Sequence, residues 1–374
     1  MPAVSESLST PSPPASSRTA RVAVVRTRPD TVVEDCGRVM DLAGYRDVLS
    51  RNRDTIVKLN LSWTKYFPAC SSQPWQVDGV ATKMIGDGFD RRKLMPVENK
   101  TVVTDPQAGC RNNRWAPVLA RHGLTFTALP DVEWEVYPFK SPLLKLNEIF
   151  PEGIQIPSMY KGRQILHLPT VKTHGHAVMT GSVKNSFGGL LREVRHYAHK
   201  YMHEVLVDLL YMQRELHPAI FTVMDGTIAG DGAGPRTMIP RVKNLLLAAT
   251  DSVAIDAIAA KLMGFDPLSI PFLRMAHERG LGIADPRDIE IVGDDISHEN
   301  FGFQTRRSLV IWGDQMIRKG FLRPLERLLL HSPLMVWAPV ASNVYHDAFW
   351  YPTIGRSRIR AFMRTEWGQL LRKY

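Results

Sequence analysis

The chain has few cysteines. Only three occur among its 374 residues, Cys36, Cys70 and Cys110, and they are far apart with no CxxC pair. This argues against an intrinsic iron–sulfur cluster or a zinc knuckle, since both are usually held by closely spaced cysteines. An odd and sparse set also argues against a disulfide scaffold and fits a reducing compartment, so we expect a cytoplasmic protein.

Long apolar runs are also absent. No stretch of about eighteen consecutive apolar residues occurs, so the sequence predicts no membrane-spanning helix. Residues 1–20 are rich in Ser, Pro and Ala and lack the apolar centre of a secretory signal, so we interpret them as a disordered leader. The whole chain is 44% hydrophobic and 22% charged, which is typical of globular proteins.

Acidic residues are scarce near the end of the chain. Residues 301–374 hold twelve Lys or Arg and four Asp or Glu, and therefore carry +8 of the net charge of +10. The first 300 residues are near neutral, which gives no reason to expect nucleic-acid binding. Apolar residues lie between these arginines, so we predict a basic amphipathic helical extension over 299–374. It would either cover the sheet or contact anionic lipid at a membrane surface through residues 301–374.

The pattern of apolar residues predicts an α/β fold. Short apolar runs predict buried strands at residues 22–25, 55–61, 101–104, 124–129, 164–168, 220–224, 244–249 and 289–292. Helical patterns lie between several of them, at residues 117–122, 200–215, 252–263 and 270–279. Because the runs are continuous rather than alternating, we expect a mainly parallel sheet layered with helices, in one domain over 21–298. Residues 62–100 lack clear periodicity and are predicted to be an insertion or lid.

One predicted helix has signals at both ends. Over residues 252–263, apolar side chains recur at helical spacing. Asp251 or Ser252 can cap its start, and Gly264 is a suitable residue for its end.

The most informative stretch is ILHLPTVKTHGHAVMTGSVKNSFGGL, residues 165–190. An apolar run ends at Pro169, and the next sixteen residues contain Lys172, His174, His176, Lys184 and Asn185. Ligand sites of α/β proteins lie at the carboxyl ends of strands, and lysine and imidazole can bind an anion or move a proton. We therefore predict that His174, Lys184 and Lys172 are catalytic and that Asn185 binds substrate.

Two other strand ends carry candidate substrate ligands. In VKLNLS, alternation places Lys58 and Asn60 on one face of a strand, where they can bind a carboxylate or phosphate. In VMDGTIAGDGAGP, we predict that the strand ends at Asp225. The glycine-rich loop after it would bring the backbone of Gly232 and Gly234 close to a ligand.

Three further residues are weaker candidates. His203 is predicted on a helix, four residues after His199, and we assign it a catalytic role. Asp225 at its strand end and Asp256 inside an Ala-rich helix are candidate ligands of a divalent metal. An equally simple interpretation is that each carboxylate orients a lysine.

Several of these stretches, in this order, resemble the family of the domain of unknown function 362 (DUF 362). They are VKLNLS, TDPQAG, LHLPTVKTHGHAVMTGSVKNSFGGL, VMDGTIAGDGAGP, LAATDSVAIDAIAAKLMGFDP and GLGIADPRDIEIVG, within residues 55–295. Many members of that family are joined to ferredoxin-type cysteine motifs, so the resemblance implies a redox partner. This chain has no such motif of its own.

Our leading hypothesis is an enzyme acting on a small anionic substrate by Lys/His proton transfer and electrostatic stabilisation, with or without a divalent metal or other cofactor. The reaction would be an isomerase- or lyase-type proton transfer, or an oxidoreduction. One alternative is a redox or metal-handling protein that works with a separate ferredoxin-like partner. Another is a peripheral membrane or interaction module that uses the basic tail.

Overall fold

The apolar runs form the centre of a large mixed sheet in the computed structural model of the protein. The structure describes residues 19–101, 104–192, 198–306, 312–313, 316–317, 320 and 337–374. Within these residues, ten strands join into the main sheet, and β5 and β6 form a separate pair. The strands are β1 (Ala20–Arg26), β2 (Thr55–Lys58), β3 (Leu94–Glu98), β4 (Thr127–Ala128), β5 (Trp134–Val136), β6 (Gln155–Pro157), β7 (Gln164–His167), β8 (Thr170–His174), β9 (Val178–Thr180), β10 (Ile220–Ala233), β11 (Thr237–Ala249) and β12 (Ile289–Gly293).

The main sheet is mostly parallel. Its order is β12-β1-β11-β10-β7-β2-β3-β4, while β8 pairs with both β10 and β9. Among the described strands, six neighbouring pairs are parallel and three, β1/β11, β10/β11 and β8/β9, are antiparallel. The predicted α/β class with a mainly parallel sheet is therefore confirmed.

Helices cover both faces of the sheet. They are α1 (Val32–Leu42), α2 (Tyr45–Val48), α3 (Pro74–Gly86), α4 (Pro106–Asn112), α5 (Trp115–His122), α6 (Leu146–Ile149), α7 (Ser182–Leu190), α8 (Met202–Leu216), α9 (Ser252–Met263), α10 (Pro271–Glu278), α11 (Trp337–Asn343), a π-helix (Val344–Gly355), α12 (Arg356–Phe362) and α13 (Glu366–Leu371). In β1, Val22 and Val24 join the core beneath α7–α10, whereas Ala23 and Val25 join the core beneath α1, α3 and α5. This alternation buries both faces of the strand, which explains its continuous apolar sequence.

Helix α9 has the predicted bounds and caps. The Asp251 side chain accepts hydrogen bonds from the N–H groups of Val253 and Ala254, at 2.8 and 3.0 Å. Gly264 ends the helix with a φ of 97°, a left-handed conformation that glycine adopts without a steric penalty. Local signals were sufficient here because both ends of the helix are fixed by neighbouring residues.

The prediction of an insertion or lid over residues 62–100 is wrong for much of that segment. It contains α3 and β3, and β3 pairs in parallel with β2 inside the main sheet. The predicted strand at 101–104 is not among the described strands. Thr101 and Thr104 form an isolated bridge with each other, and residues 102–103 lie outside the described part of the chain. Strand β3 ends at Glu98, three residues before Thr101. Four of the five residues in its LMPVE sequence are buried.

Strand β10 is much longer than predicted. It does not end at Asp225 but continues to Ala233 and forms a long antiparallel hairpin with β11, with a register shift between Gly226 and Ile228. The glycines that suggested a loop let neighbours approach closely. A Cβ atom added at Gly230 would lie 2.9 Å from Cβ of Lys172 on β8.

The described end of the chain is helical, as predicted. Trp350, Phe362 and Trp367 are buried in the same core as α1, α3 and α5, so this segment covers one face of the sheet. At the other end, residues 1–18 of the predicted leader lie outside the described residues, and β1 begins at Ala20. Among the described helices, none has the length and apolar character needed to cross a bilayer.

Candidate functional site

Two parallel strands place a buried ion pair at their carboxyl ends. The Nζ atom of Lys58, the last residue of β2, lies 2.8 Å from Oε1 of Glu98, the last residue of β3. Their side chains are 1% and 3% exposed. Lys58 also donates to the backbone carbonyl of Leu59 at 2.6 Å. The predicted substrate ligand Lys58 is thus neutralised by a carboxylate from the neighbouring strand.

Lys172 on β8 is fully buried and holds the chain after β2. Its Nζ atom donates to Oδ1 of Asn60 at 2.5 Å, to the carbonyl of Cys70 at 2.6 Å and to Oγ of Ser62 at 3.2 Å. These acceptors match the three N–H bonds of an ammonium group. Burial lowers the pKa of Lys172 to about 8. Lys172 therefore attaches residues 60–70 to β8.

Two asparagines connect these lysines. Nδ2 of Asn60 donates to Oδ1 of Asn185 at 3.3 Å, and Nδ2 of Asn185 donates to the carbonyl of Lys58 at 3.0 Å. The structure therefore brings together four of the predicted site residues, Lys58, Asn60, Lys172 and Asn185. We call these four residues and Glu98 the polar junction.

His174, the last residue of β8, is a buried imidazole in a fixed tautomer. Its Nδ1 atom accepts from the backbone N–H groups of His176 and Ala177, at 3.1 and 3.2 Å. A nitrogen that accepts hydrogen bonds carries no proton, so the N–H of the neutral ring lies on Nε2. Burial lowers the pKa of His174 well below its usual value, and the nearby charge of Lys184 lowers it further.

Three basic side chains, Lys184, His176 and His199, are close enough to His174 for their charges to lower its pKa. Lys184 is half-buried on α7, with Nζ 5.1 Å from the ring centre of Phe187. The ring centre of His176 lies 5.9 Å from that of His174 and 5.2 Å from that of His199. We call His174, His176, Lys184 and His199 the imidazole–lysine cluster. His176 and His199 were not among the predicted catalytic residues, although the THGH motif contained a signal for the first.

The two candidate metal ligands have structural hydrogen bonds. Asp256 on α9 accepts from the N–H groups of Ser182 and Val183, at 2.6 and 3.0 Å, and so holds the start of α7. Asp225 accepts from Trp75 Nε1 at 3.0 Å and from Oγ1 of Thr227 at 2.7 Å. Burial raises the pKa of Asp256 to about 7 and that of Asp225 to about 6. Over the described part of the chain, no three His, Cys, Asp or Glu residues are placed to share a metal ion.

The remaining predicted residues take other positions. The ring of His203 on α8 stacks on Phe272 of α10, with ring centres 6.1 Å apart. Gly232 has a φ of 100°, and its carbonyl accepts from Oγ1 of Thr173 at 2.9 Å. A Cβ atom added at Gly234 would collide with the carbonyl oxygen of Thr173. Both glycines therefore allow the β10–β11 hairpin to pack against β8.

Two buried polar atoms, one within the polar junction and one next to it, have no hydrogen-bond partner among the described residues. They are Oε2 of Glu98 and Oη of Tyr160. A Cβ atom added at Gly189 of α7 would lie 2.7 Å from Tyr160 Oη and 2.9 Å from Cε of Lys58, so glycine is needed for this close approach. Glu98 is a residue that the sequence analysis missed, because its strand lies in the stretch interpreted as an insertion.

These features define an α/β protein in which buried lysines, asparagines and histidines gather where parallel strands end. The family model described as a domain of unknown function, DUF362, matches residues 55–261, more than half of the chain. The chain therefore belongs to the DUF362 family, and the resemblance found in its sequence is confirmed. The matched range contains all of the polar junction and the imidazole–lysine cluster.

A curated relative matches a shorter part of the chain. The chain is 31% identical over 122 residues to a thylakoid-associated protein of Synechocystis. The alignment covers 32% of this chain and 37% of the relative, so the chain spans little more than a third of the relative's length.

Proposed function

We propose that the protein is an enzyme that transfers a proton on a small anionic substrate, such as a carboxylate, bound at the imidazole–lysine cluster. One observation supports this most directly. A buried His174, held neutral with its proton on Nε2, lies within the field of the Lys184 cation. A cation attracts an anionic substrate, and a neutral imidazole can donate a hydrogen bond to an oxygen that gains charge.

In this proposal His174 is a hydrogen-bond donor rather than the base. Its Nδ1 atom is already occupied by two backbone N–H groups, and its low pKa makes it a weak proton acceptor. The Nε2–H group would stabilise an enolate oxygen, and Lys184 would stabilise the same negative charge. A half-exposed imidazole of the cluster, His176 or His199, would accept the proton from carbon. The electron pair of that C–H bond would move onto the substrate oxygen.

The polar junction supports this site in the proposal. Lys58 and Lys172 are buried and fully engaged, so we assign them to the framework rather than to substrate contact. Asn185 lies one residue after Lys184 on α7, and its hydrogen bond to the carbonyl of Lys58 fixes that turn of the helix. Asp256 holds the first turn of the same helix. Together these contacts would set the position of Lys184.

Hydrogen exchange at carbon tests the proposal. The full chain is incubated in heavy water with pyruvate, lactate, malate or acetoacetate, and NMR follows deuterium entering next to the carboxylate or carbonyl group. We expect exchange faster than in an enzyme-free sample with at least one acid. His174→Gln and Lys184→Met should each lower its rate by about a hundredfold or more, because each removes a group that stabilises the developing charge.

Exposed residues supply matched controls. His298 and Lys261 are exposed and lie away from the cluster, so His298→Gln and Lys261→Met should exchange at the wild-type rate. Circular dichroism would show that all four variants are folded. Exchange no faster than in an enzyme-free sample for all of the acids, or equal rates in His174→Gln and the wild type, would rule out the proposal.

We also propose that the protein works in the cytoplasm next to a membrane. The relative from Synechocystis is described as thylakoid-associated, and the described helices of this chain are unsuited to crossing a bilayer. Attachment to a membrane surface would account for the description of the relative and needs no helix that crosses the bilayer. Fractionation of cells into cytosol and membranes, with and without a high-salt wash, tests this location.

A further inference from the structure

The helices near the end of the chain leave a row of apolar side chains in solvent. Val340, Val344, Phe349 and Ile354 are 54%, 58%, 57% and 42% exposed. Elsewhere in the described part of the chain, the large hydrophobic side chains with comparable exposure are Val136, Val242 and Trp312. Isolated exposed valines are normal on protein surfaces, but four large apolar side chains within fifteen residues form a patch.

This patch lies on a segment that is firmly attached to the body of the protein. Trp350 and His346 are buried, and Asp347 accepts a hydrogen bond from Trp63 Nε1 at 2.7 Å. The hydroxyl group of Tyr351 donates to the carbonyl of Tyr66 at 3.0 Å. One side of the segment is therefore fixed to the body, and the apolar patch is on the side that is left exposed.

Cationic side chains continue the patch along the chain. Arg356, Arg360 and Arg364 of α12 and the turn after it are all exposed. Together with Val340, Val344 and the exposed Ala348 and Pro352, they occupy every fourth position from 340 to 364. We call this set, with Phe349 and Ile354, the docking row. It is apolar in its first half and cationic in its second.

Acidic side chains do not neutralise the docking row within the described residues 337–374. The two acids there are Asp347 and Glu366. Asp347 is engaged with Trp63 and lies 3.6 Å from Nζ of Lys65, and Glu366 begins the separate helix α13. The three arginines therefore present a net positive charge beside the apolar patch.

We propose that the docking row binds the surface of an anionic lipid bilayer. Val344, Phe349 and Ile354 would enter the boundary between headgroups and acyl chains, while Arg356 and Arg360 would bind lipid phosphates. Apolar side chains next to arginines favour a lipid partner over nucleic acid. Binding to a nucleic-acid backbone would use the arginines but not the apolar half of the docking row. The inference rests on the membrane association proposed above and is independent of the proton-transfer chemistry.

Vesicle binding by the full chain tests the docking row. Co-sedimentation would be measured with phosphatidylcholine vesicles that contain or lack phosphatidylglycerol. We expect the wild type to bind the anionic vesicles, with affinity that falls as salt is added. Val344→Ser with Phe349→Ser should weaken binding, as should Arg356→Gln with Arg360→Gln, by roughly tenfold or more in each case.

The chain offers controls with similar exposure elsewhere. Val136→Ser with Val242→Ser, and Arg51→Gln with Arg279→Gln, alter exposed side chains outside the docking row and should bind vesicles like the wild type. If the wild type does not bind, the membrane association is wrong, and the docking row with it. If the wild type binds but the docking-row pairs match their controls, only the assignment of this surface is wrong.

Two other outcomes bear on the chemistry of the row. Equal binding to vesicles with and without phosphatidylglycerol would contradict the role of the arginines. Binding to the anionic vesicles that does not weaken as salt is added would also contradict contacts between these arginines and lipid phosphates.

Discussion

The Nζ atom of Lys172 lies 2.5 Å from Oδ1 of Asn60, and this contact joins β8 to the chain that follows β2. The two strands do not pair with each other: β2 pairs with β7, and β8 follows β7 along the same side of β10. A buried ammonium group can be held only where acceptors compensate for its lost hydration. Here Asn60, Ser62 and Cys70 supply them. Lys172, which the sequence predicts to be catalytic, thus fixes the loop beside the site.

Replacing Lys172 tests this structural role. Lys172→Met keeps most of the side-chain volume but leaves the oxygens of Asn60 and Cys70 without their donor. We expect the free energy of unfolding to fall by about 3 kcal/mol, because each buried acceptor left unpaired costs on the order of 1–3 kcal/mol. Urea denaturation measures the change. The matched substitution Lys261→Met, at an exposed position, should change stability by less than about 0.5 kcal/mol. If Lys172→Met lost no more stability than Lys261→Met, the structural role of Lys172 would be contradicted.

The Lys58–Glu98 pair gives a second stability prediction. Lys58→Met alone leaves a buried carboxylate without its cation and should cost about 3–5 kcal/mol. Adding Glu98→Gln removes that charge, so we expect the double variant to be more stable than Lys58→Met by at least about 1 kcal/mol. A double-mutant cycle by urea denaturation measures the coupling.

An exposed ion pair provides the comparison. Arg21 and Glu290 lie 3.0 Å apart, but their side chains are 57% and 55% exposed. The cycle Arg21→Met with Glu290→Gln should give a coupling of less than about 1 kcal/mol, since water screens such pairs. Additive effects of the two changes at Lys58 and Glu98 would show that the buried pair does not act as a unit.

The sequence predicted the parts of the fold that local signals determine. The bounds of α9 were correct because Asp251 and Gly264 fix both ends of the helix. The bounds of β10 were wrong because glycines at 226, 230 and 232 are common in loops, and only pairing with β11 and β8 reveals that they lie in a strand. Such pairings join residues far apart in the chain, which composition does not report.

Prediction of the site is limited in the same way by contacts between residues far apart in the chain. The gathering of Lys58, Asn60, Lys172 and Asn185 could be predicted, because carboxyl ends of parallel strands share one edge of a sheet. Their roles could not, since these depend on which partner each side chain meets. Glu98, the carboxylate that neutralises Lys58, belongs to a strand whose position in the sheet is determined by long-range pairing.

Buried histidines make stability depend on pH, and His217 is the simplest to test. Burial lowers its pKa to about 4, while Nδ1 lies 2.7 Å from the carbonyl oxygen of Arg163. Because the pKa is lower in the folded than in the unfolded chain, the unfolded chain binds the proton first as the pH falls. Stability from this group is complete above about pH 6.5 and is lost between about pH 6.5 and pH 4, at about 1.4 kcal/mol per pH unit.

The substitution His217→Asn isolates this contribution. Asparagine can place a donor near the position of Nδ1 but does not titrate. We expect the fall in unfolding free energy between about pH 7.5 and pH 5 to be about 2 kcal/mol smaller in the variant than in the wild type. Urea denaturation at both pH values measures it. His298→Asn, at an exposed position, should leave the pH dependence unchanged, and an equal slope in His217→Asn would contradict the assignment.

Gly181 tests the attachment of α7 to α9. A Cβ atom added at Gly181 would collide with the carboxyl group of Asp256, which accepts hydrogen bonds from Ser182 and Val183. Because that carboxyl group is buried and bonded, Gly181→Ala should displace it from the start of α7 and cost about 2 kcal/mol or more. Gly86→Ala is the matched control, since an added Cβ there meets nothing within 4 Å. Alanine is the better helix former, so this control should be neutral or slightly stabilising in thermal unfolding. If Gly181→Ala were equally harmless, Asp256 would not determine the position of α7, nor through it the position of Lys184.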